Sequence, residues 1–159
     1  MGSWVLADPF RRPYLDAQSW ISALSGDGPF ARDLAEWLAA ADRGELQIVT
    51  SVLMPIEVLG GRHDARTQES AERAEQAMRR SSVQQVNVTR AIVADARRLR
   101  IEHGLRTVDA IHVATAAFGR ADVLLTNDDK VHGLGSFKGM PIRRPDWQGD
   151  LPLNFGALN

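Results

Sequence analysis

The sequence predicts an α/β fold, a three-layer sandwich around a mostly parallel central sheet of four to five strands. Three observations carry this expectation. Short apolar, β-like runs alternate with segments of helical periodicity from Tyr14 to Arg143, the pattern of parallel strands covered by helices on both faces. Helix signals punctuate the alternation, with Ser51 and Thr89 as capping residues and Gly44 and Gly104 as stops. The 159 residues, 44% hydrophobic and 25% charged, suffice for one domain with a substantial core.

Taken in order, the first strand is expected near Pro13 to Asp16, then a short helix over Ser19 to Leu24 and a turn at Gly26-Asp27-Gly28-Pro29. A longer helix from Phe30 to Arg43 puts Leu34, Trp37, Leu38 and Ala41 on one face, and Gly44 stops it. The second strand, Leu46 to Thr50, leads into a helix from Val52 to Leu59 capped by Ser51. Pro55 is tolerated in or near its first turn, and Gly60-Gly61 ends it. Charged residues with helically spaced alanines make about Gln68 to Arg80 a solvated helix without chemistry. Val83 to Val88 is the third strand, Thr89 caps a helix over Arg90 to His103, and a further helix spans Val108 to Phe118. A fourth strand covers Val123 to Thr126 and a last short one Met140 to Arg143. Residues 1–12 form an arginine-containing leader in which Trp4-Val5-Leu6 is either a docking segment or a packed terminus. Residues 145–159 form a tail of prolines and glycines among Trp147, Leu151, Leu153 and Phe155, expected to wrap the surface without regular structure.

Composition excludes several classes. Disordered and collagen-like chains do not have this balance, and no apolar stretch approaches the roughly 20 residues that span a bilayer. Met1-Gly2-Ser3-Trp4 does not begin a secretory segment, so a cytoplasmic protein with no membrane partner is expected. With no cysteine, and with His63, His103, His112 and His132 lacking metal-ligand spacing, thiolate catalysis and cysteine zinc sites are ruled out. Any metal is held by oxygen. The net charge of −1 argues against a generally basic, nucleic-acid-binding surface, but the average hides a local pattern. All but Lys130 and Lys138 of the 19 bases are arginine, which matches phosphate bidentately; genome composition explains the same bias equally well.

Four acids stand where apolar runs end or turn into helices: Asp16 after Pro13-Tyr14-Leu15, Glu57 after Met54-Pro55-Ile56, Asp109 after Thr107-Val108, and Asp128 after Leu124-Leu125-Thr126-Asn127. Glu57 is the only charge from Ile48 to Gly61. Carboxylates beside apolar segments are costly unless paired. Four in one pocket would repel at about 4 kcal/mol per pair roughly 4 Å apart at an effective dielectric near 20. A divalent cation removes that penalty. Open parallel sheets bind ligands beyond the carboxyl ends of their strands, where Asp16 and Asp128 are expected, with Glu57 one helical turn past a strand and Asp109 in a first helical turn. Singly, Asp16 reads as a turn residue and Asp109 as a helix-start charge; jointly, the four favour a metal site. His112, one turn after Asp109, reads more readily as a packing residue than as a substrate contact. The pairs Arg79-Arg80, Arg97-Arg98 and Arg143-Arg144 read as solvated faces.

These segments, Tyr14-Leu15-Asp16-Ala17, Pro55-Ile56-Glu57-Val58-Leu59, Thr107-Val108-Asp109-Ala110-Ile111-His112-Val113-Ala114-Thr115-Ala116 and Leu124-Leu125-Thr126-Asn127-Asp128, together resemble the PIN-domain nucleases, and among them the single-domain VapC-type toxins of toxin-antitoxin pairs. The resemblance covers about residues 13–144, the expected nuclease domain. It implies an endoribonuclease dependent on Mg²⁺ or Mn²⁺, with the acidic cluster on Asp16, Glu57, Asp109 and Asp128 and a supporting hydroxyl on Thr126. It further suggests Asp16 and Asp109 as direct ligands, an RNA substrate, an antitoxin partner and a homodimer. Gln18 departs from the asparagine, serine or threonine of many relatives, and Asp128 is favoured over Asp129 as third in Thr126-Asn127-Asp128. Two other classes compete: a catalytically silent PIN-like protein-binding module and a metal-dependent phosphatase. An aspartyl-nucleophile phosphatase calls for an Asp-x-Asp pair after its first strand, and Asp16-Ala17-Gln18 lacks the second acid.

Overall fold

A computed structural model describes residues 10–59 and 65–147. Six strands form its sheet: β1 (Pro13–Leu15), β2 (Ile48–Ser51), β3 (Val83–Val86), β4 (Val123–Leu125), β5 (Ser136–Phe137) and β6 (Met140–Arg143), in the order β3-β2-β1-β4-β6-β5. Every pairing is parallel except the antiparallel β5 with β6. The α/β class and mostly parallel sheet are as expected, but there are six strands rather than four to five. The addition is β5, two residues long and joined to β6 by Lys138 and Gly139, both at positive φ (48° and 81°). Two successive positive φ angles are the signature of a tight type I′ hairpin.

Among the described residues seven helices accompany the strands: α1 (Ala17–Ser25), α2 (Ala31–Asp42), α3 (Met54–Glu57), α4 (Ala65–Met78), α5 (Arg90–His103), α6 (Thr107–Phe118) and α7 (Asp129–His132). Strand side chains alternate between faces, and this alternation divides the core. Tyr14, Val49 and Leu124 point to one side and pack with Ile92 and Leu99 of α5 and Val113 of α6. Leu15, Ile48, Val123 and Leu125 point to the other and meet Trp20 of α1, Leu34 and Trp37 of α2 and Met78 of α4. Complete burial of each large apolar side chain contributes about 1.5–3 kcal/mol. The layers lie close at Gly119, where an added Cβ would come within 2.8 Å of Val86 Cγ2 and 3.0 Å of Val49 Cγ1.

Most helix ends follow the local signals, and a few depart from them. Thr89 caps α5 by accepting from Ile92 N, and Gly104 ends it at φ 64°. Ser51, expected as a helix cap, is instead the last residue of β2. Its hydroxyl accepts from Leu53 N at 3.1 Å, forming a turn before α3, and α3 is only one turn long with Pro55 at its start. Gly60-Gly61, its expected stop, and His63 lie outside the described residues. The solvated helix α4 buries one face, Ala74, Ala77 and Met78, because its alanines recur at helical spacing. Of the leader, Phe10 packs on the α1–α2 side of the core and under the Arg143 guanidinium; residues 1–9, with Trp4-Val5-Leu6, lie outside the described part. The tail begins without regular structure, as expected, with Trp147 edge-on to Trp37 and the Trp37 indole N–H donating to the Pro145 carbonyl. Residues 148–159 are not described.

Candidate active site

The sheet places β1 between β2 and β4, so the chain runs from β1 outward on one side and later returns to its other edge. That reversal opens a crevice at the carboxyl ends of β1 and β4, the usual ligand position in an open parallel sheet. A cavity of about 570 Å³ lies there. Asp16, Glu57, Asp109 and Asp128 all line it, each from a different segment of the chain, with Arg106 and His112 beside them. Asp129 does not line it; its carboxylate is 95% exposed and pairs with Arg144.

Each acid is held by partners of its own. Asp16 caps α1, accepting from Ser19 N at 2.8 Å through one oxygen and from the Thr126 hydroxyl at 2.5 Å through the other. The same Thr126 oxygen accepts from Asp128 N at 3.1 Å, so Thr126 is both a carboxylate partner and a local backbone partner. Asp128 caps α7 by accepting from Val131 N at 2.9 Å. A carboxylate at a helix start meets unpaired N–H groups and the positive end of the helix dipole, which fixes both side chains at the mouth of the crevice. Asp109 sits in the first turn of α6.

Glu57 is anchored from behind. His112, almost fully buried on α6, places Nε2 2.6 Å from Glu57 Oε1, and its Nδ1 meets the Tyr14 hydroxyl. An ionised carboxylate only accepts, so Nε2 carries a proton toward Glu57, and in the neutral ring Nδ1 is then the acceptor for the Tyr14 hydroxyl. Burial, reinforced by the negative charges of Glu57 and Asp16, pushes the Tyr14 phenol well above its ordinary value. The phenol therefore remains a donor. His112 is the satisfied packing residue its apolar helix suggested, and its partner is one of the four acids.

Arg106, the residue before α6, was not singled out from sequence. Its Nε donates to Asp109 Oδ2 at 2.7 Å, and its Nη2 lies 3.6 Å from Asp128 Oδ2. The guanidinium thus bridges two of the acids across the mouth. The hydrogen bond to Asp109 and the charges of both carboxylates hold its own pKa above the ordinary arginine value. Among the named arginine pairs, Arg79, Arg80, Arg98 and Arg144 face carboxylates at the surface, in keeping with solvated faces. Arg144 also donates to the Asn127 carbonyl at 2.6 Å and steadies the loop that carries Asp128.

The donor set suits a hard cation. Four carboxylates line one crevice with neither sulfur nor an unpaired imidazole among them, and Mg²⁺ takes oxygen ligands, needing only one or two carboxylates directly while keeping several waters. Among the described residues no three acidic or imidazole side chains stand close enough together to hold a metal ion between them; the four acids share an open cleft rather than a formed metal site. Its acids are oriented by neighbouring donors, the arrangement that sets ligand direction in metal sites.

Comparison with known proteins bears on the fold and the family. The chain is similar in structure to the toxin-antitoxin complex from Klebsiella pneumoniae, with 25% identity and a TM-score of 0.62 over 86% of this chain and 99% of the other. It is similar to VapC20 of Mycobacterium tuberculosis, a sarcin-ricin loop cleaving toxin, with 15% identity and a TM-score of 0.64 over 81% of this chain and 99% of that one. VapBC2 from Rickettsia felis, solved bound to a DNA fragment from its promoter, matches at 14% identity and a TM-score of 0.64, covering 84% of this chain and 98% of the other. The last two likenesses show the fold alone. No curated protein matches the chain. The PIN domain family model matches residues 14–135, and the chain belongs to the PIN-domain family.

Proposed function

We propose that the protein is a divalent-metal-dependent endoribonuclease of the VapC type, the toxin of a toxin-antitoxin pair. One observation carries the reading: four acids distant in sequence line one cleft at the carboxyl ends of β1 and β4. Membership in the PIN family and the likeness to a toxin-antitoxin complex support it. In this reading Asp16, Glu57, Asp109 and Asp128 hold Mg²⁺ or Mn²⁺, Asp16 and Asp109 directly and the other two completing the shell. When bound, the ion supplies water activation and stabilises charge on the scissile phosphate. The chain's own contribution is orientation. Thr126 and Ser19 N aim Asp16, His112 aims Glu57, and the start of α7 aims Asp128. Products carry a 5′-phosphate and a 3′-hydroxyl.

Residues 13–144 are the catalytic unit in this reading, with 1–12 and 145–159 peripheral to it. The partners are RNA, a cognate antitoxin that lays a segment along the cleft, and a second copy of the chain. No helix among the described residues is long and apolar enough to cross a membrane, in keeping with action in the cytoplasm. The test is direct: protein freed of its partner should cleave RNA with Mg²⁺ or Mn²⁺, stop with chelator, and lose activity in Asp16→Asn or Asp109→Asn at unchanged fold. Chelator-resistant cleavage would overturn the mechanism. RNA left intact in every metal would favour a silent binding module.

A further inference from the structure

Arg106 stands at an unusual place for a cation. It is the N-cap of α6 and makes no side-chain cap hydrogen bond there, whereas N-cap positions favour Ser, Thr, Asp or Asn and the helix start carries partial positive charge. Local helix energetics therefore disfavour arginine at this position. What it gains is the bridge to Asp109 and Asp128, two of the four acids in the cleft. Its side chain is nevertheless 75% exposed, so the bridge lies in a high dielectric and is weak and easily exchanged.

We propose that Arg106 is a displaceable counter-ion, competing with the divalent cation for Asp109 and Asp128 and, once displaced, binding the phosphate of the RNA substrate. This rests on the metal-nuclease reading of the same cleft. Without an ion, the guanidinium offsets part of the repulsion between two carboxylates, Asp109 and Asp128. With an ion present the carboxylates are satisfied, and a guanidinium tethered at the rim faces the phosphate backbone, which it matches bidentately. One side chain thereby lowers the negative charge of the cleft before the ion arrives and offers a cation to RNA afterwards.

The experiment measures Mn²⁺ binding by titration calorimetry without RNA, in wild type, Arg106→Gln, Arg106→Ser and Arg106→Lys. Arg106→Ser restores a favoured cap, so its folding is not in question. Loss of the guanidinium should tighten Mn²⁺ binding about three- to tenfold, the size of one or two exposed ion pairs, and Arg106→Lys should stay nearer wild type. Arg80→Gln, just before β3 at the amino ends of the parallel strands and away from the cleft, serves as the control for a general loss of charge and should stay within about twofold of wild type. At saturating Mn²⁺, Arg106→Gln and Arg106→Ser should raise KM for a single-stranded RNA oligonucleotide more than they lower kcat. Equal or weaker Mn²⁺ binding in these variants, with wild type binding normally, overturns the competition alone; an unchanged KM overturns the phosphate contact. Wild-type protein that takes up no Mn²⁺ overturns the underlying metal reading as well.

Discussion

His112 and Glu57 share a 2.6 Å hydrogen bond across the gap between α6 and α3, and the far nitrogen of the same ring is closed off by Tyr14. Replacing the ring by alanine would strand a buried phenol and a mostly buried carboxylate. Each unsatisfied group costs about 1–3 kcal/mol. His112→Ala should therefore lower unfolding stability by about 2–4 kcal/mol in urea titration, and activity by about 10–100-fold through loss of Glu57 orientation. Wild-type stability in this variant would refute the anchoring role.

Tyr14 sets an alkaline limit. Its phenol is held above the ordinary value by burial and by the nearby charges of Glu57 and Asp16, so the folded state favours the protonated form. A raised folded-state pKa gives stability fully present below the unfolded value of 10.0 and lost as pH climbs from there toward the folded value. Stability should be insensitive to this group at neutral pH and fall above about pH 10. Tyr14→Phe should flatten that alkaline fall. Tyr14 is the sole tyrosine, so tyrosinate absorbance follows it cleanly; ionisation near its ordinary value in the folded protein would contradict the assignment.

Thr126 joins the ends of β1 and β4 by donating to Asp16 and accepting from Asp128 N. Thr126→Val keeps the shape and removes both bonds. It should lower activity about 10–100-fold, whereas Thr126→Ser, which retains the hydroxyl, should recover most of it. Full activity in Thr126→Val together with loss in Thr126→Ser would make the methyl group, not the hydroxyl, the important part.

The class of the fold and the places of the four acids were legible because both are written in local contrast. A carboxylate that interrupts an apolar run, as Glu57 does between Met54 and Val58, is visible without coordinates. The choice of Asp128 over Asp129 followed from pattern, and the structure puts only the former in the cleft. What stayed hidden was set by crossings between distant elements. Nothing near Arg106 indicates that Asp128, 22 positions later, will lie within 3.6 Å, and nothing near His112 points to Glu57. Ser51 was misplaced for a related reason: a serine before an apolar segment caps a helix or ends a strand with a turn, and pairing with β3 at Ser51↔Val86 decided for the strand. The short β5 escaped because two residues carry no periodicity.

Gly119 tests the packing of the layers rather than the chemistry. A methyl group there would meet two valine side chains at 2.8 and 3.0 Å and the Thr115 carbonyl at 3.2 Å, with backbone on one side unable to yield. Gly119→Ala should cost about 1–3 kcal/mol, read as a lower denaturation midpoint with little change in activity per folded molecule. A neutral effect would show the valines re-adjusting freely.

Asp16 and Asp128 begin α1 and α7 as well as facing the cleft, so chemistry and architecture draw on the same oxygen atoms. Asparagine caps a helix about as well as aspartate, whereas alanine forfeits about 1 kcal/mol. If the proposed nuclease reading holds, a single change of either acid to asparagine should abolish cleavage while leaving the scaffold intact, read as lost RNA cleavage at an unchanged denaturation midpoint. The same side chains thus tie the two helix starts to the rim of the cleft, so loss of charge there and loss of fold are separable by one substitution.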